Sequence, residues 1–171
     1  MVTYFNIYHI HMILGIDIGI RNFAFAIATG TLEKWDVAYW DVIDLGIPLK
    51  SGKLRIVRAV HENLAKIPKI YKDVAIEMQP GKNRAMDYVE IATISYFIST
   101  GHTPISTNSR EKYSKLFDCP CPKGNKNYQL RKNMAIEYIG KRVSGIPKTY
   151  FEAHEKKDDL ADSLCIALVN L

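Results

Sequence analysis

The sequence predicts a single α/β domain built around a five-stranded mixed sheet that is flanked by helices. Three apolar runs joined by short turns open the chain, at residues 12–18, 23–30 and 34–42. Such spacing is typical of three antiparallel strands. The rest of the chain alternates helical and strand patterns, which favours two further strands that are parallel to the first and lie in the same sheet.

The later elements follow from apolar spacing and from the residues that stop it. In the first predicted helix, apolar residues recur at helical spacing, and Pro68 closes the pattern; they are Leu54, Val57, Val60 and Leu64. Short apolar runs bounded by Pro or Gly indicate the remaining strands. We expect a helix at 53–66, a strand at 73–78, a helix at 84–99, a strand at 102–107 and helices at about 128–142 and 157–169.

Length and composition are those of a soluble globular domain. The chain has 171 residues, of which 47% are hydrophobic and 24% charged. Residues 1–11 are apolar but lack a basic leader region and a cleavage site, and they are too short to span a membrane. We therefore expect an N-terminal extension at 1–11, one domain over 12–171, and no membrane association.

Positive charge is concentrated in one segment. Residues 110–148 contain ten Lys and Arg against three acidic residues, a net charge of +7, whereas the whole chain carries +5. Local basicity of this kind suits a polyanion such as nucleic acid. A lysine-rich solvated face is the structural alternative.

Asp17 ends an apolar strand and is the most informative residue of the sequence. A carboxylate in buried surroundings is costly unless it is paired, and its usual partners are cations or metals. Glu77 ends the fourth predicted strand in the same way. If the first and fourth strands are parallel neighbours, these two side chains lie side by side.

Two further carboxylates begin the last predicted helix. Asp159 and Asp162 are three residues apart and therefore share a helix face. The helix dipole alone explains acids such as Asp158 and Asp159 in a first turn, but it does not explain Asp162. Four converging carboxylates would repel one another unless divalent cations lay between them, and Mg²⁺ prefers such oxygen ligands. Separate structural acids are the alternative.

Cysteine usage indicates a reducing, intracellular setting. The chain has three cysteines, an odd number without framework spacing. Cys119 and Cys121 flank a proline, but no second Cys or His pair stands at the spacing that zinc requires. We expect a loop without metal at this segment.

Three segments, taken in order, carry a resemblance to a known family: residues 15–22 (Gly-Ile-Asp-Ile-Gly-Ile-Arg-Asn), residues 76–80 with 83–86, and residues 156–163 (Lys-Lys-Asp-Asp-Leu-Ala-Asp-Ser). On these motifs the chain resembles the RuvC-like Holliday junction resolvases of the RNase H superfamily, in the branch of poxviruses and other large DNA viruses. The resemblance covers residues 12–171 and implies an RNase H-like fold.

The resemblance also implies an activity and a cofactor. It implies a Mg²⁺-dependent endonuclease that resolves four-way DNA by paired symmetric nicks. Asp17, Glu77, Asp159 and Asp162 would be the catalytic residues that bind two Mg²⁺ ions, for which Mn²⁺ would substitute, and no small-molecule cofactor is implied. A catalytic lysine is assigned to Lys112, with Lys115 as the alternative.

Partners and DNA contacts follow from the same resemblance. It implies a homodimer, because a four-way junction is two-fold symmetric, and a viral replication site in the cytoplasm of an infected cell. For Asn83 and Arg84, helix capping is an equal alternative to DNA contact, and the basic helix at 128–142 could equally be a solvated face. The predicted DNA-binding residues are Arg21, Asn83, Arg84, Lys115, Tyr128, Arg131 and Lys132.

Three rival functions remain open. The opening Leu-Gly-Ile-Asp-Ile-Gly strand also occurs in actin-like sugar kinases, but that fold needs roughly twice this length and a Gly-rich nucleotide motif. A ribonuclease H acting on RNA–DNA hybrids would use the same carboxylates. A junction-binding protein of the same fold could have lost cleavage.

Overall fold

A computed structural model describes residues 11–48, 51–79, 83–108 and 110–171. The predicted N-terminal extension lies outside this part of the chain except for His11, whose Nε2 is 2.7 Å from Oδ2 of Asp73. The division into residues 1–11 and 12–171 therefore stays a prediction. No helix in the described ranges is long and apolar enough to cross a membrane.

In the described part of the chain, five strands form one mixed sheet in the order β3-β2-β1-β4-β5. Strands β1, β2 and β3 are antiparallel neighbours, whereas β4 pairs parallel to β1 and β5 pairs parallel to β4. The predicted fold class is confirmed. The strands are β1 (Met12–Asp17), β2 (Phe23–Gly30), β3 (Trp35–Ile43), β4 (Asp73–Glu77) and β5 (Ile105–Thr107).

Helices cover both faces of the sheet. Helices α1 and α2 pack on one face, and α4 and α6 pack on the other, with α5 beside them. A single 3₁₀ turn, Asn125–Asn127, precedes α4. The helices are α1 (Lys53–Leu64), α2 (Arg84–Ser99), α3 (Glu111–Lys115), α4 (Tyr128–Arg142), α5 (Gly145–Ala153) and α6 (Lys157–Leu168).

Alternation along β1 decides which helices each side chain meets. Leu14 and Ile16 belong to the buried cluster under α1 and α2, whereas Ile13 packs in the cluster under α6. Successive strand residues point to opposite faces. The face of β1 that carries residues 13, 15 and 17 is therefore the face covered by α6, and the same holds for Ala75 on β4.

Glycine at position 15 lets helix α6 lie directly on strand β1. A Cβ atom at Gly15 would come within 2.4 Å of both the Ala167 amide nitrogen and the Ser163 carbonyl oxygen. The indole Nε1 of Trp40 on β3 donates a 2.9 Å hydrogen bond to the carbonyl oxygen of Leu160. These contacts fix α6 across β1, β2 and β3.

The structure corrects several sequence expectations. Leu54 is 73% exposed, and Ile56 instead occupies the buried face of α1 with Val60 and Leu64. The fifth strand begins at Ile105 rather than at residue 102. Helices α3 and α5 were not predicted, because α3 has only five residues and α5 carries Pro147 near its start, where the ring is tolerated but the apolar pattern is short.

Candidate active site

Asp17 and Glu77 lie next to each other at the ends of parallel strands. The register of β1 and β4 pairs Ile16 with Ile76, so the next residue on each strand is the acid. Both acids point to the α6 face, because they follow Gly15 and Ala75 by two residues. The neighbourhood predicted for these two acids is therefore present in the structure.

Asp159 and Asp162 reach the same place from helix α6. Their neighbours Leu160, Ala161 and Leu164 are fully buried against the sheet, which leaves the two acids at the edge of the core. A cleft of about 1110 Å³ opens there, and all four carboxylates line it.

Mutual repulsion and burial act on these acids. Burial is the main cause that raises the pKa of Asp17 well above its usual value, followed by the charge of Glu77 and then by Asp162 and Asp159. Burial also raises the pKa of Asp159, with Asp158 adding to the effect. The carboxylates therefore form an acidic cluster whose negative charge is poorly compensated.

Lys112 places a positive charge inside this cluster. Its ammonium forms an ion pair with Oδ1 of Asp162, and the lysine is only 9% exposed. Burial acts to lower the pKa of Lys112, but the groups around it, of which Asp162 contributes most, together outweigh burial and raise the pKa, so the ammonium stays charged. For Asp162, burial outweighs the stabilising lysine and raises its pKa.

Two adjacent acids of α6 have different surroundings. Asp158 forms an ion pair with Lys132 of α4. Burial acts to raise the pKa of Asp158, but this pair holds it below its usual value. Oδ2 of Asp159, by contrast, is buried without a hydrogen-bond partner among the described residues.

The donor set suits a divalent cation. Carboxylate oxygens are hard ligands, and the unpartnered oxygen of Asp159 together with the raised pKa of Asp17 shows where a cation would be stabilising. Among the described residues, no three His, Cys, Asp or Glu side chains lie close enough together to hold a metal ion. The carboxylates of the four acids would thus have to move closer to one another to bind an ion.

The predicted DNA-binding residues divide into two groups. Arg21, Tyr128, Arg131 and Lys132 line the cleft. Asn83, Arg84 and Lys115, all in the described part of the chain, are not among the lining residues.

The second group has other contacts. The side-chain oxygen of Asn83 accepts a 3.0 Å hydrogen bond from the Ala85 amide, which is the capping role that sequence left open. Lys115 Nζ lies 2.7 Å from Glu111 and also donates to the Val169 carbonyl oxygen at 3.2 Å. A DNA role for Asn83, Arg84 and Lys115 stays a prediction.

Sequence reasoning missed part of the cleft. The lining also includes Arg110 and the segment Cys121–Gly124, which the sequence pattern could not place. Gln79 lines it as well, and its amide Nε2 lies 3.3 Å from Oε2 of Glu77. The excess of Lys and Arg over residues 110–148 pointed to the region of Arg110 and of the segment Cys121–Gly124. It did not distinguish the basic residues that line the cleft from those that do not.

Comparison with known proteins gives one family match. Residues 11–171 match the sequence model of the family described as Poxvirus A22 protein. No curated protein matches the chain in sequence.

Solved structures match over almost the whole chain. The fowlpox virus resolvase, in a complex with substrate Holliday junction DNA, is 20% identical with a TM-score of 0.67 and covers 93% of this chain and 95% of its own. T. thermophilus RuvC in complex with Holliday junction substrate is 19% identical with a TM-score of 0.63, covering 93% and 92%. The yeast mitochondrial Holliday junction resolvase Ydc2 is 19% identical with a TM-score of 0.58, covering 93% and 78%. At these identities the likeness establishes the fold, which is the one expected.

Proposed function

Since the chain belongs to the family described as Poxvirus A22 protein, we propose that it is an endonuclease that resolves four-way DNA junctions. The poxvirus-type resemblance inferred from three sequence motifs is confirmed by this membership and by the shared RuvC-like fold. The named substrate of the fowlpox and T. thermophilus proteins is Holliday junction DNA, and we extend that substrate to this chain.

The observation that supports the proposal is the meeting of four carboxylates in one cleft. Asp17 and Glu77 are brought there by the parallel pairing of β1 and β4, and Asp159 and Asp162 by the packing of α6 on Gly15. A purely structural role for the four acids would leave their repulsion unexplained, because a soluble core gains nothing from clustered like charges.

We propose that these four residues hold two Mg²⁺ ions, for which Mn²⁺ would substitute. When bound, the ions would activate water and stabilise the leaving oxygen in hydrolysis of a phosphodiester. The oxygen ligands come from two strand ends and one helix that are anchored in the core. The strand ends and the helix that carry these ligands are thereby held in place without DNA.

Lys112 has a separate part in this proposal. Its charged ammonium lines the cleft and orients the carboxylate of Asp162 through their ion pair. A fixed cation at this place would also favour the negative charge that develops on a phosphate in the transition state. Lys115, which pairs with Glu111 instead, is the weaker candidate.

Cleavage of labelled synthetic substrates tests the proposal. A four-way junction, a linear duplex and an RNA–DNA hybrid are incubated with Mg²⁺ or with a chelator. We expect paired nicks in opposite strands of the junction alone, and none with chelator. Cleavage of the hybrid instead would identify a ribonuclease H, and tight junction binding without nicks would identify a non-cleaving binding protein.

The homodimer is proposed to form through the outer face of helix α2. Ile91 and Ile98 are 62% and 60% exposed there, and with Ile94 they make an apolar stripe at helical spacing. A two-fold dimer needs one self-complementary surface, and this stripe can pack on its own copy. Tyr96 and Phe97 are buried in the core and therefore are not available for this contact.

Sedimentation of charge variants tests the dimer. Ile91→Glu with Ile98→Glu should shift the protein from dimer to monomer, because burying the new carboxylates would be costly. Ile146→Glu is the matched control, since Ile146 is 86% exposed on a different helix. A double variant that stays dimeric would exclude this face.

A cytoplasmic viral replication site is proposed from the family alone.

A further inference from the structure

The cations that line the cleft differ in what they already contact. Three of them are half-buried or buried and engaged within the protein. Lys112 pairs with Asp162, Lys132 pairs with Asp158, and Arg131 donates to two backbone carbonyls. Arg21 pairs with Asp44 at the surface.

Two lining cations have no such partner. Arg110 and Lys123 are exposed, line the cleft, and form no ion pair with any acid in the described part of the chain. A DNA phosphate could pair with either of these cations without breaking an existing ion pair. Binding to Lys132 would instead break its half-buried pair with Asp158 and leave the carboxylate of Asp158 without a partner, which is costly. The surface ion pair of Arg21 with Asp44 contributes little to stability, so Arg21 could leave Asp44 for a phosphate at low cost.

The segment that carries Lys123 is held in place by the protein. It is bounded by two residues in the left-handed backbone region, Asp118 with φ 48° and Gly124 with φ 84°. The guanidinium of Arg131 donates to the carbonyl oxygens of Pro122 at 2.9 Å and Gly124 at 3.0 Å. Asn127 Nδ2 donates to the Lys123 carbonyl oxygen at 2.9 Å. With two prolines in this stretch, φ is also fixed at those positions.

The loop is tied to the lysine of the active site as well. The Cys119 amide donates a 2.9 Å hydrogen bond to the carbonyl oxygen of Tyr113, the residue after Lys112 on α3. Arg110 stands at the start of the same short helix. The two unpaired cations are thus carried by one connected unit, formed by α3 and the loop 118–124, that borders the carboxylates.

We infer that Arg110 and Lys123 are the residues that bind backbone phosphates of the DNA in this cleft, and that Arg131 is a positioning residue that holds the loop. The inference rests on the proposed function for the identity of the nucleic acid. It replaces Arg131, which the sequence had suggested as a DNA contact, with two residues that the sequence had not singled out.

Salt dependence of binding tests the inference, because each phosphate that a protein neutralises changes the slope of log K against log salt by about 0.9. Affinity for a four-way junction is measured in chelator between 50 and 200 mM salt. Lys123→Gln and Arg110→Gln should each reduce the slope by about 0.9, and the double variant by about 1.8. The salt-induced loss of affinity over this range would shrink about threefold for each single variant.

Matched variants separate phosphate binding at these two positions from a general effect of surface charge. Lys126→Gln removes an exposed charge from the adjacent 3₁₀ turn, outside the cleft lining, and should leave the slope unchanged. Arg131→Gln should weaken binding without lowering the slope, because Nη1 of Arg131 is engaged by two carbonyl oxygens rather than by a phosphate. A slope that Arg131→Gln lowers by about 0.9 would make Arg131 a phosphate ligand and contradict the positioning role.

Failure of the inference and failure of the proposed function have different outcomes. Wild-type slopes for both Lys123→Gln and Arg110→Gln would overturn the inference, even if the protein resolves junctions. Equal affinity of wild type for junction and linear duplex, with no cleavage of either, would overturn the proposed function. The slopes measured on that duplex would still show whether Arg110 and Lys123 bind DNA phosphates.

Discussion

The carboxylates of the cleft come from strand ends and a core helix, whereas its cations, apart from Arg21 between β1 and β2, come from a short helix, a loop and the N-terminal end of α4. The acidic wall (Asp17, Glu77, Asp159 and Asp162) is thus built on buried elements. The basic wall (Arg110, Lys112, Lys123, Arg131 and Lys132) is built on elements that are joined by ion pairs and by hydrogen bonds from side chains to the backbone.

In the proposed function, this difference assigns catalysis of cleavage to the acidic wall and DNA binding to the basic wall. An acidic wall carried by buried elements keeps its four carboxylates near one place, where their side chains could close around an ion for metal-assisted hydrolysis. A basic wall with some charges free and others engaged can bind phosphates and position the loop at the same time. We therefore expect variants of the acidic wall to lose cleavage and keep binding, and variants of the basic wall other than Lys112 to lose binding more than cleavage.

The largest effect is expected from the adjacent pair Asp159 and Asp158. Asp159→Asn should reduce junction cleavage by more than about a hundredfold, beyond what residues that only support a ligand usually cost. Asp158→Asn should reduce it less than about tenfold, because Asp158 pairs with Lys132 rather than facing the acidic cluster. Single-turnover cleavage rates measure both. Equal losses would remove the distinction between the two acids.

A smaller effect on cleavage is expected at the residue where the walls meet. Lys112→Ala should slow cleavage about 10–100-fold while weakening junction binding much less, because it removes the cation that orients Asp162. In chelator, the free energy of unfolding should fall by about 3 kcal/mol as a buried pair loses one partner. Unchanged turnover with Lys112→Ala would rule out its part in the mechanism.

Packing of α6 on β1 gives the third prediction. Gly15→Ala should lower the free energy of unfolding by about 1–3 kcal/mol or more, because its Cβ would meet the α6 backbone at 2.4 Å. The melting temperature would fall by about 2–4 °C per kcal/mol. Gly140→Ala is the control: its Cβ would lie 3.5 Å from Phe151 Cε1, an ordinary contact in a helix, so that variant should be as stable or more stable.

The smallest effect is expected at Lys115. Its ion pair with Glu111 is an exposed i,i+4 contact, which contributes about 0.3–0.5 kcal/mol, and its hydrogen bond to the Val169 carbonyl oxygen contributes about 0.5–1.5 kcal/mol. Lys115→Ala should therefore lower the free energy of unfolding by no more than about 2 kcal/mol and change the cleavage rate less than about twofold. Chemical denaturation and the cleavage assay measure the two quantities. A larger loss of cleavage than for Lys112→Ala would exchange the roles of the two lysines.

The sequence predicted the acidic wall because burial leaves a pattern. An acid that follows an apolar strand, as at Asp17 and Glu77, is visible without coordinates, and alternation along the strand states which way it points. Asp162 was visible for the same reason on a helix. The register that puts these residues together required only that β1 and β4 be parallel neighbours.

The basic wall could not be predicted in the same way. Whether a lysine is free or paired depends on tertiary partners, such as Asp158 for Lys132, that have no periodic signature. The helix α3 and the loop 118–124 are too short for a hydrophobic period, and Arg131 is engaged by carbonyl oxygens. Charge composition located the region but could not assign its residues.

The claim that the acidic wall is needed for cleavage but not for DNA binding is tested most directly by single-turnover cleavage of a prebound junction. Each of Asp17→Asn, Glu77→Gln, Asp159→Asn and Asp162→Asn is saturated with labelled junction in the absence of divalent ions, and Mg²⁺ is then added. We expect all four variants to bind with wild-type salt dependence and none to nick the junction at a measurable rate. A variant that cleaves at the wild-type rate would contradict the four-carboxylate site.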